Sequence, residues 1–165
     1  MKNILNFDKY SLIEKGEYEL YTNKKGGKFW GDAGAGILIL CKTTGRILLA
    51  MRSEFVNEPK TWGIFGGKLD DPNESPLEAA TRELVEESGY EGEFEVIPAY
   101  IFQNKDFTYH NFLGIVEKEF KPTTDWETEY TQWFDLKEFL SLHNKHFGLK
   151  ALIKNSLNEI RKYAK

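Results

Sequence analysis

The chain has 165 residues, of which 41% are hydrophobic and 15% aromatic, a composition typical of one globular domain and not of a disordered chain. Its formal net charge is −4, which argues against a broad nucleic-acid surface, because such surfaces are normally basic. No apolar run is long enough to span a bilayer, and the first residues lack a secretory signal. With one cysteine, Cys41, no internal disulfide can form. We therefore expect a cytoplasmic protein with no membrane partner.

The first part of the chain predicts strands joined by turns. The strand candidates are 7–24 (as one or two short edge strands), 34–41, 46–52 and 61–65. Residues 24–28 are typical of a turn, and 42–45 predict a hairpin between two apolar runs. The strand at 61–65 ends at Gly66-Gly67. Cys41 closes an apolar run and is expected to be buried.

The segment 76–88 is the clearest helix in the sequence. Ser75 can cap it, Pro76 occupies the first helical position, and Glu78 completes a capping box with Ser75. Gly89 ends it. One face carries the apolar or small residues Leu77, Ala80, Thr81, Leu84 and Val85, the spacing of a helix packed on a sheet.

Segments rich in aromatic and β-branched residues follow, at 94–102, 107–120 and 129–136, and they predict strands. The end of the chain returns to helical spacing, with one apolar side made of Leu149, Leu152, Ile153, Leu157 and Ile160. Strands around two good helices predict an α+β fold, a mixed sandwich in which helices cover a sheet.

The other side of the 76–88 helix carries Glu83, Glu86 and Glu87 at i, i+3 and i+4. Like charges at these spacings cost an isolated helix about 0.2–0.5 kcal/mol per pair. One interpretation is a solvated acidic face. The other is a site for a hard cation such as magnesium, manganese or calcium, with Arg82 orienting the carboxylates. A backbone carbonyl of the Gly66-Gly67 break could add an oxygen ligand.

These residues resemble the Nudix box. That pattern reads Gly, five residues, Glu, seven residues, Arg-Glu, an apolar residue, any residue, Glu-Glu, any residue, Gly and an apolar residue. Here Glu74 is followed after seven residues by Arg82-Glu83-Leu84-Val85-Glu86-Glu87-Ser88-Gly89-Tyr90, with Tyr90 where an aliphatic residue is usual. Six residues instead of five separate Gly67 from Glu74. The sequence leaves open where this extra residue puts Gly67 relative to the glutamates.

The resemblance implies a single Nudix-type hydrolase domain over 1–165, with a Nudix-like α/β/α sandwich in which a mixed β-sheet is flanked by helices. It implies a pyrophosphohydrolase that uses Mg²⁺ or Mn²⁺ to cleave a nucleoside diphosphate linked to another moiety. Glu83, Glu86 and Glu87 match the family's metal-binding glutamates, and Gly66 matches the position whose carbonyl often joins them. Glu74 and Arg82 match an orienting pair. The alternative is a non-catalytic Nudix-like module that binds a nucleotide and regulates a partner.

The remaining site residues rest on position. Resemblance favours Glu127, six residues before Trp133, as the general base, with Glu129 second; both could instead be solvated loop acids. Substrate contacts are expected from the cations Arg52 and Lys68 and from an aromatic set in which stacking and core roles both stay open: Trp30, Phe65, Tyr100 and Phe102. The histidines lack zinc-ligand spacing. A small phosphorylated substrate is the expected partner, and a homodimer is compatible with the sequence.

Overall fold

The computed structural model describes residues 33–71, 73–104 and 107–165. The edge strands expected at 7–24, the turn at 24–28 and the substrate contact assigned to Trp30 lie outside these residues. None of the described helices is both long and apolar enough to cross a membrane.

The described residues form a mixed sheet of seven strands. Their bounds are β1 Ala33–Cys41, β2 Ile47–Arg52, β3 Trp62–Gly63, β4 Phe65–Lys68, β5 Glu95–Asn104, β6 Phe107–Val116 and β7 Thr128–Phe134. β1 lies at the centre and pairs with β6 in parallel along its whole length. Its other edge is shared by β4, which pairs with its first half, and β2, which pairs with its second half. β5 continues the sheet beyond β6, and β2 carries β3 and β7.

Every residue of β1 is buried, as expected for a central strand that is covered on both faces. Its side chains alternate between two hydrophobic clusters, so Ile37 and Ile39 face one side of the sheet and Leu38 and Leu40 the other. The turn expected at 42–45 is confirmed. Gly45 has a φ of 70° and donates its N–H to the carbonyl of Cys41 at 2.8 Å, a left-handed conformation that glycine adopts without a Cβ penalty.

Helices cover both faces of the sheet, as the predicted sandwich requires. Helix α1, Pro76–Ser88, packs on one face, and its predicted ends are confirmed: Ser75 and Glu78 form a capping box, and Gly89 closes it with a φ of 68°. Helix α3, Phe147–Arg161, packs on the opposite face through Leu149, Leu152 and Ile160. The short helix α2, Leu136–Ser141, was not predicted, although Asp135 and Glu138 form a capping box at its start.

A tyrosine on β6 accounts for three glycines of the neighbouring strands. A Cβ added to Gly34, Gly36 or Gly66 would overlap the ring or hydroxyl of Tyr109. The register places Tyr109 beside Gly34, and Gly36 beside Gly66. Tyr109 therefore lies across β1 against β4, and the glycines supply the space that its ring fills.

We predict that Gly36→Ala lowers the free energy of unfolding by about 1–3 kcal/mol, because its new methyl group would overlap the Tyr109 hydroxyl and crowd Ile64 and the Phe65 carbonyl. Denaturant unfolding measures the change. Gly63→Ala is the matched control, since its Cβ would meet its nearest atom at 3.7 Å, an ordinary contact. Equal losses in the two variants would contradict the packing described for Tyr109.

Candidate active site

The strand expected at 61–65 is interrupted at Ile64, and Gly66 and Gly67, expected to end it, lie within β4, paired with Gly36 and Ala35. These two β4 glycines lie beside the acidic side of α1. The N–H of Gly66 donates to Oε2 of Glu87 at 2.9 Å. A Cβ on Gly67 would overlap the carboxylate of Glu83. The missing Cβ at Gly67 therefore lets β4 approach Glu83, while at Gly66 it leaves room for Tyr109 and the Ala35 carbonyl.

The guanidinium of Arg82 is the centre of the carboxylate cluster. It contacts five neighbours: Nε donates to Glu74 Oε1 (2.8 Å), Nη2 to Lys68 O (3.0 Å), and Nη1 lies near Glu83 Oε1 (2.9 Å), Glu86 Oε2 (3.2 Å) and Asp70 Oδ2 (3.2 Å). The side chain of Arg82 is 25% exposed. Its planar fork of donors binds several oxygens at once, which a lysine ammonium does not match. Arg82 thus joins the end of β4 and the loop before α1 to the helix.

The extra residue between Gly67 and Glu74 is absorbed in the loop. Leu69 is buried and donates its N–H to the carbonyl of Ala33 at 3.1 Å, which continues the path of β4. The N–H of Asp70 donates to Glu74 Oε2 at 2.9 Å, and the N–H of Glu74 donates to the carbonyl of Asp71 at 3.0 Å. Gly67 consequently lies against the Glu83 carboxylate, which answers the question that the sequence left open.

Burial changes the ionisation of two of the glutamates. It raises the pKa of Glu87 to about 8; the Gly66 N–H opposes this rise, and the charges of Glu83, Glu127 and Asp125 add to it. Burial also raises the pKa of Glu83, against the stabilising contact with Arg82. Two buried carboxylates in one site repel each other, so the cluster favours a proton or another positive charge.

Glu83, Glu86 and Glu87 have the chemistry of a hard-cation site. All three offer carboxylate oxygens from one side of α1, and the buried Glu87 carboxylate needs positive charge beside it in order to ionise. Over the described ranges, no three acidic, histidine or cysteine side chains already converge on a common point. The physical reason is that Glu83 and Glu86 turn towards Arg82 while Glu87 turns towards Gly66. The donor set fits a divalent cation, and in this arrangement Arg82 supplies the counter-charge.

A cavity of about 340 Å³ opens beside the β4 glycines, on the side away from α1. It lies between the sheet and the start of α3. The lining residues are Gly34, Arg52, Asn57, Gly63, Ile64, Gly66, Gly67, Lys68, Phe102, Phe107, Tyr109, Asn111, Glu127, His146, Phe147, Gly148 and Leu149. The β4 glycines, Gly66 and Gly67, therefore lie between the acidic cluster and a space large enough for a small ligand.

The substrate contacts expected from the sequence divide into two groups. Arg52 and Lys68 line the cavity, and the Arg52 guanidinium donates to the carbonyl of Asn57 at 2.8 and 2.6 Å. Phe102 also lines it. Phe65, in contrast, is 1% exposed and packs in the core against α1, so the stacking role expected for it is corrected to a core role. The cause is strand alternation, which turns Phe65 to the face opposite the cavity.

The two candidate bases have different surroundings. Glu127 lines the cavity, and its charge is among those that raise the pKa of Glu87. Its loop is held by the bond from the Ser53 N–H to the Glu127 carbonyl at 2.9 Å. Glu129 is exposed and contacts Lys60 Nζ at 2.5 Å. This geometry favours Glu127.

Sequence reasoning missed several cavity residues. His146 caps α3 by accepting the N–H of Gly148 at Nδ1 (3.1 Å), and its Nε2 lies 3.1 Å from Glu58. Burial, together with the charge of Arg52, lowers the pKa of His146. Asn111 and Tyr109 stand on β6. Asparagine is depleted in strands, so Asn111 within β6 was a signal that could have marked it.

Comparisons with known proteins identify the family and the fold. A sequence model of the NUDIX domain family matches residues 32–155. A CMP-5'-(N-acetyl-N-hydroxy-3-aminopropyl)phosphonate hydrolase from Streptomyces rubellomurinus is 30% identical over 121 residues, which cover 66% of this chain and 54% of that protein. The chain thus spans about half the length of this relative.

Solved structures share the fold. The Nudix hydrolase RenU from M. smegmatis superposes with a TM-score of 0.66 at 18% identity, over 79% of this chain and 86% of that one. A C. elegans Ap4A hydrolase gives 0.61 at 19% identity, over 79% and 99%. The E. coli dihydroneopterin triphosphate pyrophosphohydrolase gives 0.58 at 17% identity, over 76% and 95%.

The raised pKa of Glu87 predicts a pH dependence of stability in the absence of divalent cations. Because folding raises this pKa from the ordinary 4.5 to about 8, the contribution of Glu87 is fully present below about pH 4.5 and is lost as the pH rises to about 8. Glu87→Gln should flatten this part of the curve of unfolding free energy against pH, measured in a chelator. The exposed Glu91→Gln is the control, and an unchanged slope in Glu87→Gln would contradict the assignment.

Proposed function

The chain belongs to the Nudix family, and on that premise we propose that it is a hydrolase acting on phosphoric anhydride bonds. It uses Mg²⁺ or Mn²⁺ and cleaves a pyrophosphate linkage in a nucleotide or nucleotide-sugar type substrate by attack of water on phosphorus. The observation that carries this proposal is the position of the β4 glycines, Gly66 and Gly67. They lie against Glu87 and Glu83 and also line the cavity.

The charged side chains around Gly66 and Gly67 suit the binding of a pyrophosphate. Glu83, Glu86 and Glu87 would hold the divalent cation, with the Gly66 carbonyl as a further proposed ligand, and their contacts with Arg82 would be exchanged in part for contacts with it. When bound, the cation would neutralise phosphate charge and lower the pKa of a coordinated water. Arg82 would remain attached through Glu74, whose pKa this contact lowers despite partial burial. It would thereby orient α1 against the loop.

The cavity residues would position the substrate. Lys68 and Arg52 place positive charge along its wall, where they would bind phosphate oxygens. Glu127 would accept the proton of the attacking water from the side opposite α1. Little covalent work is needed from the protein beyond positioning and charge stabilisation.

The nucleotide part of the proposal draws support from the relative in Streptomyces rubellomurinus, whose name describes a hydrolase of a CMP derivative. That protein is nearly twice as long as the matched segment. We therefore extend to this chain the reaction class and a nucleotide-type substrate.

Phosphate release tests the reaction directly. Nucleoside triphosphates, nucleotide sugars, ADP-ribose and dinucleotides would be assayed with magnesium or manganese. Inorganic pyrophosphatase would reveal pyrophosphate from the triphosphates, and a phosphatase would reveal the monophosphate products of the other classes, which have no terminal phosphate before cleavage. We expect turnover of at least one class. No turnover of any class with either metal, combined with ligand-induced thermal stabilisation, would instead support the non-catalytic binding module.

On the substrate that is turned over, Glu86→Gln and Glu87→Gln should each lower the rate at least about 100-fold, because each removes a carboxylate from the proposed cation site. Glu91→Gln, an exposed glutamate beyond the end of α1, should keep the wild-type rate. Near wild-type activity in either site variant, with an unchanged metal requirement, would refute its role as a ligand.

The two candidate bases can be separated in the same assay. We expect Glu127→Gln to lower kcat by about 10²–10⁴-fold, the usual contribution of a general base. Glu129→Gln should change kcat little, because Glu129 is exposed and contacts Lys60. The reverse order of effects would assign the base to Glu129.

A further inference from the structure

Away from Gly66 and Gly67, part of the cavity wall is aromatic and not charged. Its lining includes the rings of Phe102, Phe107 and Phe147. Phe102 lies 6.3 Å from Phe107 and 6.1 Å from Phe147 between ring centroids, both pairs edge to face. Phe147 also lies 4.6 Å from the ring of His146 and is 51% exposed. This end offers apolar ring surface on which a planar group can stack.

Asn111 is a polar side chain of the same cavity lining. It is 4% exposed, so it is almost wholly inside the protein, and it lines the cavity. Its Nδ2 donates to the carbonyl of Tyr100 at 2.9 Å. That carbonyl belongs to a bulge, where Ala99 and Tyr100 of β5 stand opposite Asn111 of β6. Since a carbonyl can only accept, this bond determines which end of the amide is nitrogen.

The Oδ1 of Asn111 is therefore held in a known orientation. Within residues 33–71, 73–104 and 107–165, no side chain or N–H donates to it. Because this oxygen keeps some exposure to the cavity, it can accept an N–H from a ligand bound there. The cavity lining thus includes an oriented acceptor.

The register of the sheet sets the distance between Asn111 and Gly66. Asn111 on β6 pairs with Gly36 on β1, which pairs with Gly66 on β4. Two strand spacings of about 4.8 Å separate Asn111 from Gly66, about 10 Å in all. The Tyr109 side chain covers Gly36 and Gly66 on this surface, so a ligand that joins the two positions would lie over Tyr109. A nucleotide, whose base and phosphates are separated by one ribose, has the length to span this distance.

We propose that Asn111 and the rings of Phe102, Phe107 and Phe147 form a subsite for a nucleobase that carries an exocyclic amine, as adenine and cytosine do. This rests on the proposed function, because it names the substrate class of the same cavity. An exocyclic amine projects beyond its ring and can donate to one acceptor. An imide N–H, as in uracil, is flanked by carbonyl oxygens that would be left against apolar rings. Asn111 is thus a specificity-determining residue.

Binding without turnover tests this subsite. Nucleoside monophosphates contain no anhydride bond, so their dissociation constants can be measured by calorimetry with magnesium present. The probes are AMP and CMP, the analogues in which the exocyclic amine is replaced by hydrogen, and ribose 5-phosphate. The wild-type protein should bind AMP or CMP at least about tenfold more tightly than its analogue, and ribose 5-phosphate more weakly still.

Two variants locate the preference. Asn111→Leu should remove the difference between the amine and its analogue. Asn155→Leu is the matched control: Asn155 also donates its side-chain amide to a backbone carbonyl, that of Ala151, but it is exposed on α3 outside the cavity. Phe147→Ala changes a half-exposed ring, so the fold should survive. It should weaken both nucleotides about tenfold while leaving ribose 5-phosphate unchanged.

Equal affinity of the wild-type protein for each amine and its analogue would overturn the proposal, as would a preference that persists in Asn111→Leu. Failure of every nucleotide to bind would overturn it too. Amine-selective binding without any phosphate release would support the subsite while refuting the proposed hydrolase. Turnover without amine selectivity would do the opposite.

Discussion

The site depends on one arrangement of charge, the guanidinium of Arg82 among carboxylates. Like charges at Glu83, Glu86 and Glu87 repel each other on α1, and burial makes ionisation of Glu87 harder still. Arg82 offsets this repulsion at Glu83 and Glu86 and, through Glu74 and the Lys68 carbonyl, ties the helix to the end of β4. The neighbouring Glu74 and Asp70 then order the loop that leads into the helix. Structure and chemistry therefore share the same contacts.

A second constraint connects this cluster to the cavity. β4 can approach Glu83 of α1 because Gly67 has no side chain, and the absence of a Cβ at Gly34, Gly36 and Gly66 leaves room for Tyr109. Tyr109 extends from β6 across β1. It therefore links the strand that carries Asn111 to Gly66 of β4, which contacts Glu87. Burial and the charges of Glu87 and Glu83 raise the pKa of Tyr109, so its phenol remains neutral beside the acidic cluster.

Local signals were sufficient for much of the structure. The caps at Ser75 and Gly89 define α1 by local hydrogen bonds and backbone angles, and the hairpin before Gly45 follows from turn chemistry. Long-range placement was harder to predict. Phe65 and Phe102 both read as aromatic strand residues, and only the sheet register decides which one faces the core and which the cavity. His146 and Asn111 reach the cavity because α3 and a bulge in β5 bring distant segments together, which spacing along the chain does not encode.

The proposed chemistry depends on the carboxylates of α1 holding a divalent cation beside Gly66 and Gly67. The most direct measurement is anomalous diffraction from crystals of the protein grown with Mn²⁺. We predict a manganese peak bounded by the carboxylates of Glu83, Glu86 and Glu87 and by Gly66, with Arg82 still joined to Glu74. Manganese absent from this position in a crystal whose cavity is open to solvent, or bound only at other carboxylates, would contradict the claim.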